Sequence, residues 1–206
     1  MTFPVHQGLI LPMVRRWPNS FDGLALSVGA AMPDITDTTL GFPLNGYFKQ
    51  WYGHSLIRMF TLDLVIGLLI TWLIAVFARR LFRDGDVPRR LQAFFTKIAA
   101  NDDPKGAGGR NKVPLRLWSF SVFIGILSHI GFDFASHDTN LLLYPWVESP
   151  HWLPIWWYTI WFEIRPLSIF GRSYAVGVFS VIWFLLTLIG IFLFIHFLSP
   201  KQEDRI

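Results

Sequence analysis

The segment 117-LWSFSVFIGILSHIGFDFASHDTN-140 begins as an apolar run fit to cross a bilayer and ends with two histidines and an aspartate at spacings of four. Residues four apart on a helix lie one turn above each other, so His129, Asp133 and His137 form a polar stripe that drifts about 40° around the axis per step. An ionised aspartate near the centre of a membrane helix costs about 2.5–3.5 kcal/mol on the insertion scale. Such groups face a cavity, a partner or a metal. The stripe therefore predicts convergence on one such object.

The rest of the chain agrees with a membrane setting. Of 206 residues, 52% are hydrophobic, with ten Trp and twenty Phe, and the mean hydropathy is +0.41. That is too apolar for an ordinary soluble domain, and the length suits one compact unit. Cysteine is absent, which excludes disulfides and thiolate ligands and leaves His and carboxylates for any metal. The net charge of +4 does not point to nucleic acid, because the basic residues fall mostly in one loop without interleaved stacking aromatics.

The expected fold is an all-α integral membrane protein with about three transmembrane helices plus short re-entrant or interfacial helices. As one membrane domain it divides into an N-terminal motif region 1–59, a first span 60–82, a basic loop 83–116, a second span 117–136, an aromatic interfacial region 137–173, a third span 174–198 and a tail 199–206. The first span, 60-FTLDLVIGLLITWLIAVFARRLF-82, reaches roughly 34 Å at about 1.5 Å per residue. The third, 174-YAVGVFSVIWFLLTLIGIFLFIHFL-198, carries only His196 as a titratable group within its apolar run. Residues 79–116 hold ten of the eighteen Lys and Arg residues against four Asp, so the positive-inside rule assigns the loop 83–116 to the cytoplasm. Arg15 and Arg16, expected on the outer side, run against this orientation.

Two apolar segments are too short to span. The first, 21-FDGLALSVGAAM-32, suits a buried or re-entrant helix, with Asp34 after Pro33 either a ligand or the cap of a following helix. The second, 152-WLPIWWYTIWFEI-164, suits an interfacial helix or belt because of its Trp and Tyr content. The first 17 residues lack the basic n-region and small-residue cleavage site of a signal peptide and are read as part of the mature protein. With the loop cytoplasmic, the start of the first span and the end of the second share the outer face. His54 and Asp63 then lie on the side of Asp133 and His137, His6 and 32-MPDITD-37 can join them, and Asp63 is expected to pair with Arg58 or an incoming helix.

The ordered set His6 in 3-FPVHQG-8, Asp34 in 30-AAMPD-34, His54-Ser55 in 53-GHSL-56 and 129-HIGFDFASH-137 resembles a family of small bacterial integral-membrane proteins of unknown function. That family is similar in turn to membrane-bound metal-dependent hydrolases of the inner membrane, and more remotely to zinc-dependent phospholipase C and related nucleases. The family usually has Thr where this chain has Gly53 and Ser136. The resemblance implies that His6, Asp34, His54, His129, Asp133 and His137 hold one or two divalent metals, Zn first among them, at the non-cytoplasmic face of the inner membrane. There they would activate water against an ester or phosphoester of a lipid headgroup, with Asp37 or Asp138 as general base. Ser55 beside His54 lacks the Gly-x-Ser-x-Gly elbow of a serine nucleophile.

Two other function classes remain open. The stripe can lock helices together or hold a structural metal in a non-enzymatic protein, alone or within a membrane complex. It can also relay protons or ions in a transporter, which with three spans would require oligomerisation. The partners expected are membrane lipids, a lipid-linked substrate and further copies of the chain.

Overall fold

The structure, a computed structural model, describes residues 4–40, 55–83, 114–136, 143, 153–164 and 174–199. Helix α1 is Val5–Arg16 and α2 is Gly23–Leu40. A short helix α3, Leu56–Arg58, runs through a π-helical turn, Met59–Asp63, into α4, Leu64–Arg83. Then come α5, Leu115–Ser136, a 3-10 turn at Ile155–Tyr158, the antiparallel strands β1, Ile160–Ile164, and β2, Tyr174–Gly177, and finally α6, Val178–Leu198. Three helical stretches are long and apolar enough to cross a membrane: Leu56–Ala78, Leu115–Ser136 and Val178–Leu198.

Several sequence expectations are corrected. The first span starts at Leu56, not at residue 60, because the Ser55 hydroxyl accepts from the Arg58 amide and caps it there. Residues 174–177 form a strand, so the third span starts at Val178. Of the segment read as an interfacial helix or belt, Ile155–Tyr158 is a 3-10 turn and Ile160–Ile164 a strand paired with β2, so it holds no longer helix among the described residues. Residues 23–32 of the short apolar segment belong to an 18-residue helix that continues through Pro33. Asp34 lies inside that helix, and the residue at its start is Asp22, whose Oδ1 accepts from the Ala25 amide at 2.7 Å.

Helix α2 is the hub, touching α1, α4 and α5. It runs parallel to α5. At its start the Asp22 amide donates to Ser121 Oγ at 2.8 Å, and further along the pair His129 meets the Ala30 carbonyl at 2.7 Å. Between these points the backbones are in contact at two glycines. A Cβ on Gly125 would strike the Leu26 carbonyl and lie 2.7 Å from the Ala30 nitrogen, and one on Gly29 would strike the Val122 carbonyl. Small residues at such crossings let membrane helices approach closely. Gly67 of α4 instead receives the side chains of Val122 and Met32.

Helix α1 runs antiparallel to α2 and parallel to α6. The Gln7 amide donates to the Ser27 carbonyl at 3.3 Å, Gly8 lies on the Gly190 backbone, and Arg15 Nη2 donates to the Phe197 carbonyl at 2.6 Å while its guanidinium covers the Phe197 ring. Arg15 and Arg16 therefore stand at the end of the bundle where α5 begins and α4 and α6 finish. That is the end that carries the basic loop, not the side to which the sequence alone assigned them. His6, Asp34, Asp37, Asp63 and Asp133 gather at the other end.

The glycine contact yields a direct test. Gly125→Leu must separate α2 from α5, and overpacking of this kind costs about 1–3 kcal/mol. Titration of the detergent-solubilised protein with sodium dodecyl sulfate is expected to show that loss for Gly125→Leu and none for Gly131→Ala, where an added Cβ meets nothing within 4 Å. Equal stability of both variants would mean that α2 and α5 do not cross at Gly125.

Candidate metal centre

His6 comes from the first turn of α1, Asp34 from α2, and His129 and Asp133 from successive turns of α5. Four residues drawn from three helices are thus brought together by the packing of α1 and α2 on α5. The two imidazoles stack with ring centroids 3.8 Å apart and planes inclined by 23°. His6 Nε2 lies 3.4 Å from Asp133 Oδ1, and His129 Nε2 lies 3.2 Å from Asp133 Oδ2 and 3.7 Å from Asp34 Oδ1.

The other nitrogen of His129 decides what Nε2 can do. A backbone carbonyl only accepts, so Nδ1 must be the protonated nitrogen in its 2.7 Å bond to the Ala30 carbonyl. Nε2 is the nitrogen turned to two carboxylates, as a metal ligand when bare or as a donor when protonated. This carbonyl–imidazole arrangement is the outer-shell pattern that orients metal-binding histidines. Neutral imidazole facing carboxylates is stable only with a cation or a proton between them.

Burial favours the neutral form of His6. Its pKa is held below the usual 6.5, first by loss of solvation and further by the adjacent His129, against the opposing hydrogen bond to Asp133. Asp34 and Asp133 contribute two formal negative charges, which match a divalent cation.

The N···O separations are of the size such an ion needs, although the stacked rings must turn for both Nε2 atoms to point at one ion. Ligand atoms about 2.0–2.1 Å from a tetrahedral metal are separated by roughly 3.3–3.4 Å. His6 Nε2 and His129 Nε2 meet different oxygens of Asp133, at 3.4 and 3.2 Å, each close to that edge length. One ligand atom each from His6, His129 and Asp133 lies within 4.8 Å of the others. Asp34 flanks this trio and is the open side of the site, its side chain 30% exposed while those of His6, His129 and Asp133 are nearly inaccessible.

Of the residues singled out from sequence, His6, Asp34, His129 and Asp133 are brought together. Asp37 faces away toward Arg58, with Nη1 to Oδ1 at 3.2 Å. His54, His137 and Asp138 lie outside the described residues. A neighbouring polar cluster surrounds Arg58, whose Nε lies 3.7 Å from Asp63 Oδ1, while the Thr36 hydroxyl donates to the same oxygen at 2.8 Å. The π-helical turn at Met59–Asp63 brings Asp63 inward to meet them. Sequence reasoning anticipated the Arg58–Asp63 pair but not the Ala30 carbonyl, which no side-chain motif can announce.

A family model described as Domain of unknown function (DUF4184) matches residues 1–205. The chain belongs to that family. No curated protein and no solved structure matches it. The match covers both the trio and its flanking Asp34, so the site lies within the family's shared region rather than in an appended segment.

The Arg58 cluster gives a second test. Removing one partner of a buried ion pair costs about 3–5 kcal/mol, so Arg58→Met is expected to destabilise the protein by that amount in the same denaturant titration. Asp37→Asn, which leaves Arg58 its second carboxylate, is expected to cost less. Arg58→Met without effect would show that the cluster carries no net stabilisation.

Proposed function

We propose that His6, His129 and Asp133 hold a divalent cation, and that the protein is a membrane-bound metal-dependent hydrolase acting on an ester or phosphoester of a membrane lipid. The observation that carries the reading is the bond of His129 Nδ1 to the Ala30 carbonyl, which orients the ring so that Nε2 is turned to Asp133 with His6 stacked beside it. Three protein ligands with an open side is the arrangement of a catalytic rather than a closed structural site, among the described residues. A cation bound there supplies Lewis acidity and lowers the pKa of water.

The roles of the chain's own groups follow from their placement. The Ala30 carbonyl fixes the ring of His129, and Asp133 spans both imidazoles through its two oxygens. Asp34 Oδ1, on the exposed side, is placed to take a proton from an incoming water. Stacking of His6 on His129 shields the inner side from solvent.

Orientation is part of the proposal. Arg15, Arg16 and Arg116 lie at the end opposite the site, where α4 runs into the basic segment and α5 leaves it, so the positive-inside rule directs that end to the cytoplasm and the site to the outer face of the inner membrane. A single cysteine at Asn101→Cys, in a chain with none of its own, is expected to react with an impermeant maleimide only after the cells are permeabilised. Labelling of intact cells would reverse the assignment.

Metal content tests the site itself. Protein purified in detergent without chelator and analysed by inductively coupled plasma mass spectrometry is expected to carry about one equivalent of Zn or a neighbouring first-row metal. His6→Ala, His129→Ala and Asp133→Ala are expected to lose it while remaining folded. Asp34→Asn is expected to weaken binding about 10–100-fold, as for an outer-shell carboxylate. Absence of metal both as purified and after reconstitution would sink the hydrolase reading. The cluster would then be an imidazolium–carboxylate latch in a non-enzymatic membrane protein.

A further inference from the structure

Strands β1 and β2 present a conflict that one environment resolves. All five side chains of β1 are exposed, on both faces of the strand, and four of the five are apolar. Trp156 in the preceding turn is 57% exposed, and Trp161 and Phe162 are each 55% exposed. In water such a strand invites aggregation, and a two-stranded sheet is marginal on its own. The hydrocarbon core is equally unsuitable. The sheet has only two strands among the described residues, so each has an edge whose backbone groups find no partner in lipid.

The bilayer interface satisfies both demands, with water for the strand edges and acyl chains for the rings. Trp and Tyr concentrate at that depth. We propose that the turn Ile155–Tyr158 and strands β1 and β2 are seated in the headgroup layer of the membrane, at the end of the bundle that carries the metal site.

Continuity with the spans supports the lipid as occupant. Gly177 ends β2 and Val178 begins α6 with no intervening loop, and Ser180 Oγ ties the two by donating to the Ala175 carbonyl at 2.9 Å and accepting from the Gly177 amide at 3.2 Å. The exposed apolar surface then continues along α6 through Phe184, Leu188 and Phe192. Glu163 is the one charged residue in 153–164 and 174–177. A side-chain bond links this layer to the site, since Trp157 Nε1 donates to the Ala135 carbonyl at 3.2 Å, two residues beyond Asp133.

The mouth of the site is thereby held at the depth of lipid headgroups, and its substrate class is a headgroup ester or phosphoester reached laterally from the bilayer. The depth assignment stands on the sheet alone, whereas the substrate class rests on the hydrolase reading above.

Spin labels measure the depth. In a cysteine-free chain, Thr159→Cys and Trp161→Cys can be labelled one at a time and reconstituted in nanodiscs of phosphatidylcholine and phosphatidylglycerol, with Phe192→Cys as the hydrocarbon reference and Asn101→Cys as the aqueous one. Collision rates with oxygen and with a water-soluble nickel chelate are expected to place both sheet labels within about 5–10 Å of the headgroup–acyl boundary. Rates like those of Asn101→Cys would overturn the proposal in favour of a sheet in water. Rates like those of Phe192→Cys would overturn it in favour of the hydrocarbon core. Low rates for both reagents with spin–spin broadening would overturn it in favour of a second copy covering the sheet. Thr159→Cys alters an exposed polar position and gives a reading if Trp161→Cys does not fold. Metal content, measured on the same samples, separates failure of the depth assignment from failure of the metal reading.

Discussion

The approach of α2 to α5 at Gly29 and Gly125 is the constraint on which the remaining geometry depends. Without side chains at those positions the two backbones touch, and a histidine one turn further along α5 then reaches the Ala30 carbonyl. That bond orients the ring, which sets Nε2 against Asp133 and Asp34. Helix α1 adds His6 because it is laid against α6 through a second glycine contact, at Gly8 and Gly190. Packing of small residues thus precedes the chemistry: the polar atoms meet because the backbones can.

Polar groups in an apolar setting impose their own discipline. An unpaired carboxylate or imidazole buried among helices is expensive, so such groups cluster and satisfy one another. Two clusters result, one around His129 and one around Arg58, and both lie at the same end of the bundle. The Arg58 cluster neutralises itself in part, with a guanidinium between Asp37 and Asp63. The His129 cluster sets two carboxylates against two imidazoles, one of them held neutral by burial. This difference in charge fits a structural role for the first and the proposed cation-binding role for the second.

The two ends of the bundle also differ in what they present to the surroundings. Arginines of α1 and the start of α5 mark one end, and one of them anchors α6 by its last carbonyls, where a cation meets the negative end of the helix dipole. The other end combines carboxylates, histidines and an aromatic sheet. Basic residues thus mark one end and the aromatic sheet with the His–Asp cluster the other, an asymmetry of the kind the positive-inside rule uses.

How much of this was legible in the sequence depends on the kind of signal. The three spans follow from apolar runs whose length matches a bilayer, and the pairing of His129 with Asp133 follows from a four-residue helical spacing; both are local properties of the chain. The strand at 160–164 could not be read from the segment because its aromatics suit a helix or a strand equally, and the choice was made by pairing with β2, which lies beyond the intervening residues 165–173. The central place of α2 was hidden because a dozen apolar residues look too few until Pro33 is seen to be accommodated in a longer helix. The side on which Arg15 lies, the capture of His6 by Asp133 and the lock of Nδ1 on Ala30 were decided by tertiary structure alone. Their physical reason is common to all three: backbone atoms at glycine crossings and carbonyls at helix ends carry no residue-specific signature, and only the packed bundle brings them within reach of the side chains that use them.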